Sequence, residues 1–315
     1  MIDIFYRSNG KLLVSQAASE LANLHREDVV WIDLFAPESA EKRQTEQFLG
    51  VEIQSRATAE EIESSSRFKE TDAAIFANTN FLMPGPEEYS MEAVSFTIVG
   101  GTLTTLRDVP LRSFTELQRR MVAMPHLYPN GYWVFVNILD QRVDLDADMI
   151  ELMSKEIAQY SKRINQQEDI NEEFLLDINQ LQENTMIVRE NIVDKQRLIT
   201  NLTKSDKYPP ELETRFNTLQ QDISSLINHT NFSFERLEYL QDTVVGLINL
   251  EQNKIMKVFT LISLLLMPPT LVASFYGMNV NLPGSEFKLG WLAILAFMIL
   301  LIVGVLVVFK KRKML

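Results

Sequence analysis

Cysteine is absent from this 315-residue chain, and histidine occurs only three times, at His25, His126 and His229. The lack of cysteine excludes disulfides, thiolate zinc sites, iron–sulfur clusters and a cysteine nucleophile. The histidines are far apart in the sequence, which argues against an imidazole metal cluster. A P-loop, a GxGxxG fingerprint, an HExxH motif and a nucleophile elbow are also missing. The sequence therefore predicts neither an enzyme nor an organic cofactor.

Charge is distributed unevenly along the chain, whose 42 acidic and 30 basic residues give a net charge of −12. The first 255 residues carry 41 acidic and 24 basic groups, a net charge of −17, whereas the last 60 carry one acidic and six basic groups, a net charge of +5. An acidic body lacks the basic surface that nucleic-acid binding requires. We therefore expect no nucleic-acid partner and instead a soluble acidic region attached to a membrane.

Two uncharged stretches, residues 258–276 and 289–309, are each long enough to cross a bilayer, which takes about 20 apolar residues. The second stretch has no polar face, unlike the helix of a soluble core. The sequence therefore predicts membrane spans at about 257–276 and 289–309, with the lipid bilayer as a partner.

Basic residues lie on the same side of both predicted spans. Lys254 and Lys257 precede the first span, and residues 310–313 (KKRK) follow the second. The positive-inside rule then places both termini in the cytoplasm and the loop at 277–288 outside. The predicted location is the inner cell membrane, crossed twice.

The first span is the more polar of the two. It carries two successive prolines, Pro268 and Pro269, and four hydroxyl side chains: Thr260, Ser263, Thr270 and Ser274. Proline in a spanning helix frees carbonyls that neighbours or water must satisfy, so this span is predicted to line a wet passage. The alternative is that the hydroxyls bond to carbonyls of their own helix. Two spans cannot enclose a pore, so a channel would require an oligomer.

Apolar residues upstream of the first span recur in steps of three and four, as in a coiled coil. They are Leu212, Phe216, Leu219, Ile223, Leu226, Leu237, Leu240, Val244 and Leu247. The interval at 227–236 predicts a register slip. Because Pro209 and Pro210 mark a helix start, the pattern predicts one continuous helix that spans residues 211–276. Two helices broken near 228–231 are the alternative.

The rest of the body is predicted to contain strands and further helices. Runs rich in β-formers at 2–6, 29–35, 73–82, 93–100 and 102–108 predict strands, with a hairpin turn at Gly100 and Gly101. Helices are predicted at 37–50 (ending at Gly50), 112–124, 131–143 and 145–204, the last with a loop or break at 166–174. Acidic patches in that last region are either a solvated helix face or a site for divalent cations.

The first span ends in the sequence YGMN, residues 276–279. Glycine lets the helix end, and asparagine offers a neutral amide oxygen at the mouth. Repeated around a symmetric ring, such oxygens would hold a cation through its water shell. Mg²⁺ gives up its waters reluctantly, so neutral acceptors suit its capture. Alone, the four residues are also compatible with a simple helix C-cap.

The sequence NKIMKVFTLISLLLMPPTLVASFYGMN, a short outer loop, a second span and a terminal KKRKML together resemble the CorA family of magnesium transport proteins, as does WIDL at 31–34. The resemblance implies a funnel-shaped homopentamer with the first span lining the pore. It implies a selectivity filter of Gly277, Met278 and Asn279, with Gly277 and Asn279 at the metal. It also implies pore-lining positions, which fall here on Asn253, Met256, Phe259, Met267 and Thr270.

The five pore positions also agree with helix geometry, because their spacings of 3, 3, 8 and 3 residues keep them near one face. Met256, Phe259 and Met267 would form apolar collars able to gate by dewetting. The resemblance further implies closure when intracellular Mg²⁺ binds acidic sites between cytoplasmic domains. The family's stalk acid is replaced here by Ser225 or Asn228, so the sequence assigns no regulatory site.

The predicted fold class is α+β: a cytoplasmic α/β domain (1–143), long helices and a stalk (144–255) and a membrane hairpin (256–315). The predicted function is a homo-oligomeric channel for Mg²⁺, with Co²⁺ and Ni²⁺ as further ions and Mg²⁺ as both transported ion and regulatory ligand. Transport of Zn²⁺, or proton-coupled transport, stays open as an alternative. A membrane-anchored metal sensor that does not conduct is the third reading.

Overall fold

A computed structural model describes residues 1–54, 67–85, 89–166, 170–278 and 289–311. Its contacts divide the chain into an N-terminal unit, Met1–Gln241, and a C-terminal unit, Asp242–Leu315. Asn279, the rest of the predicted outer loop and residues 312–315 lie outside the described residues.

A seven-stranded sheet forms the centre of the N-terminal unit. Its strands are β1 (Ile2–Ser8), β2 (Lys11–Ser15), β3 (Val29–Phe35), β4 (Phe68–Glu70), β5 (Ile75–Met83), β6 (Ser90–Val99) and β7 (Thr102–Arg107). Their order is β2-β1-β3-β7-β6-β5-β4. The β3–β7 pair is parallel, and the other neighbours are antiparallel. The five central strands are confirmed; the sequence missed β2 and β4, the two edges.

Three predicted glycine positions are confirmed by their backbone geometry. Gly100 and Gly101 have φ values of 58° and 90° and connect β6 to β7 in a two-residue turn. Such φ values favour glycine. Gly50, with φ 71°, ends helix α1 (Ser39–Leu49) and donates its N–H to the Glu46 carbonyl at 2.8 Å.

Three further helices accompany the sheet: α2 (Arg112–Ala123), α3 (Gly131–Gln166) and α4 (Glu172–Leu202). The predicted separate helix at 131–143 is wrong, because α3 continues without interruption to Gln166. Its buried positions continue through Val143, Met149 and Met153, and no proline or glycine interrupts them. The predicted break after α3 is confirmed, since α4 begins afresh with the Asn171 side chain accepting the Phe174 N–H at 2.9 Å.

Aromatic rings fill the side of the sheet that α2 and α3 cover. Trp31 stacks on Phe5 at a centroid distance of 5.0 Å and tilts against Phe114 at 5.7 Å. Phe96 meets Phe135 of α3 edge-on at 5.0 Å. Such pairs add about 0.5–1.5 kcal/mol each beyond the area that they bury. This core fixes α2 and α3 against the strands.

A buried ion pair joins β3 to β7. Arg107 donates to the Asp33 carboxylate at 2.8 Å, and its guanidinium lies over the rings of Phe35 and Phe114. Burial raises the pKa of Asp33, and the hydrogen bond from Arg107 opposes that shift. Asp33 belongs to the WIDL motif, whose other three residues are also buried in β3.

Helix α5 (Glu213–Tyr276) follows a 3₁₀ turn at Pro210–Leu212. The single-helix prediction is confirmed and the break near 228–231 is wrong. The predicted register slip is also wrong. Thr230 and Ser233 are buried between Ile223 and Leu237, so steps of three and four continue with two small hydroxyl residues in place of apolar ones. The spacing of apolar residues alone indicates a slip here because it does not include buried hydroxyl residues.

Polar side chains connect α4 to α5 within the N-terminal unit. Gln241 donates to Asn179 at 2.9 Å, Arg189 to Asn231 at 2.7 Å, and Gln196 approaches Ser224 at 3.5 Å. Residue numbers rise along α4 as they fall along α5. The two helices are therefore antiparallel.

The C-terminal unit contains the remainder of α5 and helix α6 (Gly290–Lys311). Both helices are long and apolar enough to cross a membrane, judged by length and composition. None of the described residues of α6 is buried. The fold therefore has the predicted α+β class: a sheet domain, a long helix and a C-terminal apolar helix.

Candidate ion-conduction site

The five predicted pore positions lie on α5 in the C-terminal unit, and all five side chains are exposed. At 3.6 residues per turn they fall within an arc of about 120°. The apolar members are among the most exposed large side chains of the chain, with exposed fractions of 63% for Met256, 70% for Phe259 and 67% for Met267. Asn253 lies at the N-terminal end of this face and Thr270 near the other end. The structure thus presents them as one continuous face rather than as a closed site.

Two hydroxyls of the first span bond to their own helix. Thr260 Oγ1 donates to the Met256 carbonyl and Thr270 Oγ1 to the Leu266 carbonyl, each at 2.7 Å. For these two residues the alternative reading of the sequence holds. It does not remove them from a wet passage, because a hydroxyl that donates inward keeps its two lone pairs.

Gly277 of the predicted filter comes directly after α5. Its N–H donates to the Ala273 carbonyl at 2.9 Å, and a Cβ added there would lie 3.1 Å from that same oxygen. Its φ is not in the left-handed region, unlike that of Gly50. The helix end therefore favours glycine through a close backbone approach rather than through a left-handed cap. Met278 follows with its side chain exposed.

A cavity of about 630 Å³ lies in the C-terminal unit between the end of α5 and the start of α6. Its lining is mainly apolar and includes Phe275, Tyr276 and Met278 from α5 and the residues after it, and Ile294 and Phe297 from α6. The start of α6 thus lies beside the turn that carries the predicted filter. Asn279, predicted at the metal with Gly277, is outside the described residues.

A second cavity, of about 690 Å³, lies in the N-terminal unit between α3 and α5. Ser225 and Asn228, the predicted replacements for the family's stalk acid, both line it, together with Glu151 and His229. Within the described residues no group of three or more His, Asp or Glu side chains is arranged to hold a metal ion. The regulatory site therefore stays unassigned.

Residues 26–311 match the family model described as "CorA-like Mg2+ transporter protein". The chain belongs to the CorA family. The match covers strands β3 to β7, the long helices and both apolar helices, so membership rests on most of the chain and not on the GMN motif alone.

Relatives of the same family align along the full length. The chain is 33% identical over 320 residues to the magnesium transport protein CorA of Wolinella succinogenes, covering 99% of each. It is 30% identical over 318 residues to the magnesium transport protein CorA of Escherichia coli strain K12, again covering 99% of each. The resemblance drawn from the sequence is thereby confirmed.

The fold is also similar to a solved CorA structure. The complete structure of the CorA magnesium transporter from Methanocaldococcus jannaschii superposes with a TM-score of 0.81 over 99% of this chain and 98% of the other, at 16% sequence identity. At that identity the likeness shows the fold. Together with the sequence matches, it confirms the predicted CorA architecture of a sheet domain, a long helix and a terminal apolar helix.

Proposed function

We propose that the chain is a homo-oligomeric channel that admits Mg²⁺ into the cell, with α5 lining the pore. The observation that carries this is the face of α5 that holds the five expected pore residues, which runs from Asn253 to Thr270 with all five side chains exposed and leads to Gly277 and Met278. An uninterrupted helix with polar residues at both ends and apolar residues between is what a gated ion path requires. Family membership supports Mg²⁺ as the transported ion.

The exposure of this face supports oligomeric assembly. One α5 cannot surround a cation, so several copies must place their α5 faces around one axis. We propose five copies, in line with the resemblance that the sequence carries. The functional regions would be 1–143 as the cytoplasmic sheet domain, 144–255 as helices and stalk, and 256–315 as the membrane hairpin.

We propose that the ring of Gly277, Met278 and Asn279 receives the hydrated ion from outside. The amide oxygen of Asn279 and the backbone carbonyl at Gly277 would accept hydrogen bonds from the waters of Mg²⁺, which it releases reluctantly. Met256, Phe259 and Met267 would close the path by dewetting. The acidic body would attract cations at the inner side, and occupation of it by Mg²⁺ would favour closure. Both termini would lie in the cytoplasm.

Purified protein in liposomes tests this function. We expect Mg²⁺ influx driven by an inside-negative potential, with Co²⁺ and Ni²⁺ also carried, and a lower flux when the cytoplasmic side contains Mg²⁺. Replacement Asn279→Ala should abolish Mg²⁺ uptake, and normal flux would overturn the filter assignment. Preference for Zn²⁺, or flux that needs a pH gradient, would establish the alternative. No flux despite metal-dependent changes in the body would indicate a sensor.

A further inference from the structure

We propose that Thr260 is an additional pore-lining residue, whose hydroxyl oxygen accepts hydrogen bonds from the water shell of the passing cation. It is not among the five pore positions that the family resemblance implies. The inference rests on the proposed function, because it requires α5 to line a pore. It adds a polar ring inside the stretch that otherwise holds the apolar collars.

Thr260 lies on the same face of α5 as the expected pore residues. It follows Asn253 by seven residues and precedes Met267 by seven, and each such step rotates by only about 20° around a helix. Thr260 therefore falls inside the arc that the five positions define, whereas Phe259 lies at its edge. The Thr260 side chain is exposed, as are Asn253 and Met267. Any pore that contains those two residues also contains Thr260.

The orientation of the Thr260 hydroxyl decides what it offers to an ion. Its single proton is donated to the Met256 carbonyl at 2.7 Å. A hydroxyl has one donor and two acceptor lone pairs, so this oxygen presents acceptors only. Thr270, an expected pore residue, has the same arrangement with the Leu266 carbonyl at the same distance. The two threonines are ten residues apart, about 15 Å along the helix.

An acceptor-only ring suits a hydrated cation and not an anion. The waters around Mg²⁺ bind the metal through their oxygens and point their hydrogens outward, and the ion keeps them tightly. Between Asn253 and Thr270, about 25 Å along α5, the expected lining consists of Met256, Phe259 and Met267. Thr260 divides this apolar path into two shorter parts. It would give the ion a polar stopping point between them.

Cysteine accessibility tests the position without relying on transport rates. Because the chain has no cysteine, Thr260→Cys in the full-length protein carries one thiol per chain. Val258→Cys is the matched control, since two residues rotate by about 200° and place it on the opposite face. We expect a small water-soluble thiol reagent to modify Thr260→Cys and block Mg²⁺ flux, and to leave Val258→Cys conducting. No modification at 260, or equal block at both positions, would overturn the proposal.

Transport by conservative variants tests the chemistry. Thr260→Val keeps the shape and removes the oxygen; we expect its Mg²⁺ flux to fall by about tenfold, the order of effect of a lost hydrogen bond. Thr260→Ser should stay near wild type, as should the control Val258→Thr. Assembly is checked by size-exclusion chromatography. If the wild type carries no Mg²⁺, the proposed function fails. If the wild type conducts and Thr260→Val conducts equally well, only this inference fails.

Discussion

The two units of the chain differ in whether their large side chains are buried or exposed. In the N-terminal unit Trp31, Phe114 and even Lys195 are almost fully buried, and the Lys195 ammonium group meets the Asp146 carboxylate of the same chain. In the C-terminal unit large apolar side chains are exposed, such as Phe259 at 70% and Leu300 at 68%. The first unit therefore contains its own core. The second presents surfaces that lipid and further copies of the chain would have to cover.

The strongest test of this comparison is the buried ion pair of the N-terminal unit. Arg107→Met would leave the Asp33 carboxylate buried without its cation, which costs about 3–5 kcal/mol of unfolding free energy. The matched control is Arg112→Met, because Arg112 pairs with Glu116 on the surface and such pairs contribute about 0–1 kcal/mol. Chemical denaturation of the solubilised protein, followed by circular dichroism, measures both. Equal losses would mean that the pair at Asp33 is not what holds β3 and β7 together.

Gly131→Ala should have the next largest effect. A Cβ on Gly131 would lie 2.3 Å from the Leu103 nitrogen and 2.7 Å from the Gly101 oxygen, both backbone atoms. The N-terminus of α3 would have to move away from the β6–β7 turn, and such overpacking costs about 1–3 kcal/mol. The same denaturation experiment measures the loss. Unchanged stability would show that α3 can withdraw from the turn freely.

Burial of Lys195 predicts a pH dependence of the N-terminal unit. Its ammonium group contacts the Asp146 carboxylate at 3.0 Å, the Asn80 carbonyl at 3.0 Å and the Asn191 side chain, and Arg142 also binds Asp146 at 2.5 Å. Asp194, the remaining charged neighbour, pairs with Arg67. Desolvation lowers the pKa of Lys195 from 10.5 to about 8, against the opposing effect of Asp146.

The sign follows from proton binding. Because the folded pKa of Lys195 is depressed, the unfolded chain binds more protons above pH 8, so stability should rise with pH there. The measurement should stop near pH 9.5, since the pKa of Tyr160 is raised to about 12 and an ordinary tyrosine ionises near pH 10, which reverses the trend. We expect thermal unfolding between pH 8 and about 9.5 to show this rise in the wild type and not in Lys195→Met. If the rise in stability persists in Lys195→Met, another titrating group causes it.

The same difference in burial explains which parts of the fold could be predicted from the sequence alone. The central strands and the long helix were predictable because apolar periodicity reports burial within the chain. The edge strand β2 was missed because three of its five residues are exposed. Thr230, Ser233 and Lys195 were missed as core residues because polar side chains are usually exposed. The proposed pore face could be predicted only from the family resemblance, because residues that would meet another copy look the same in sequence as those that would meet lipid.

The smallest expected effect concerns Gly246, at which an added Cβ would meet nothing within 4 Å. Gly246 precedes Asn253 by seven residues and so shares the face that we assign to the pore. If that face lines an open path in the assembly, Gly246→Ala should stabilise α5 by about 0.5–1 kcal/mol, the difference in helix propensity, and leave the oligomeric mass unchanged. Denaturation and mass measurement in detergent test both expectations. A loss of assembly would instead mean that neighbouring α5 helices pack tightly at Gly246. The face of α5 that contains Gly246 would then be an interface between subunits at Gly246, and it would line a pore only from Asn253 onward.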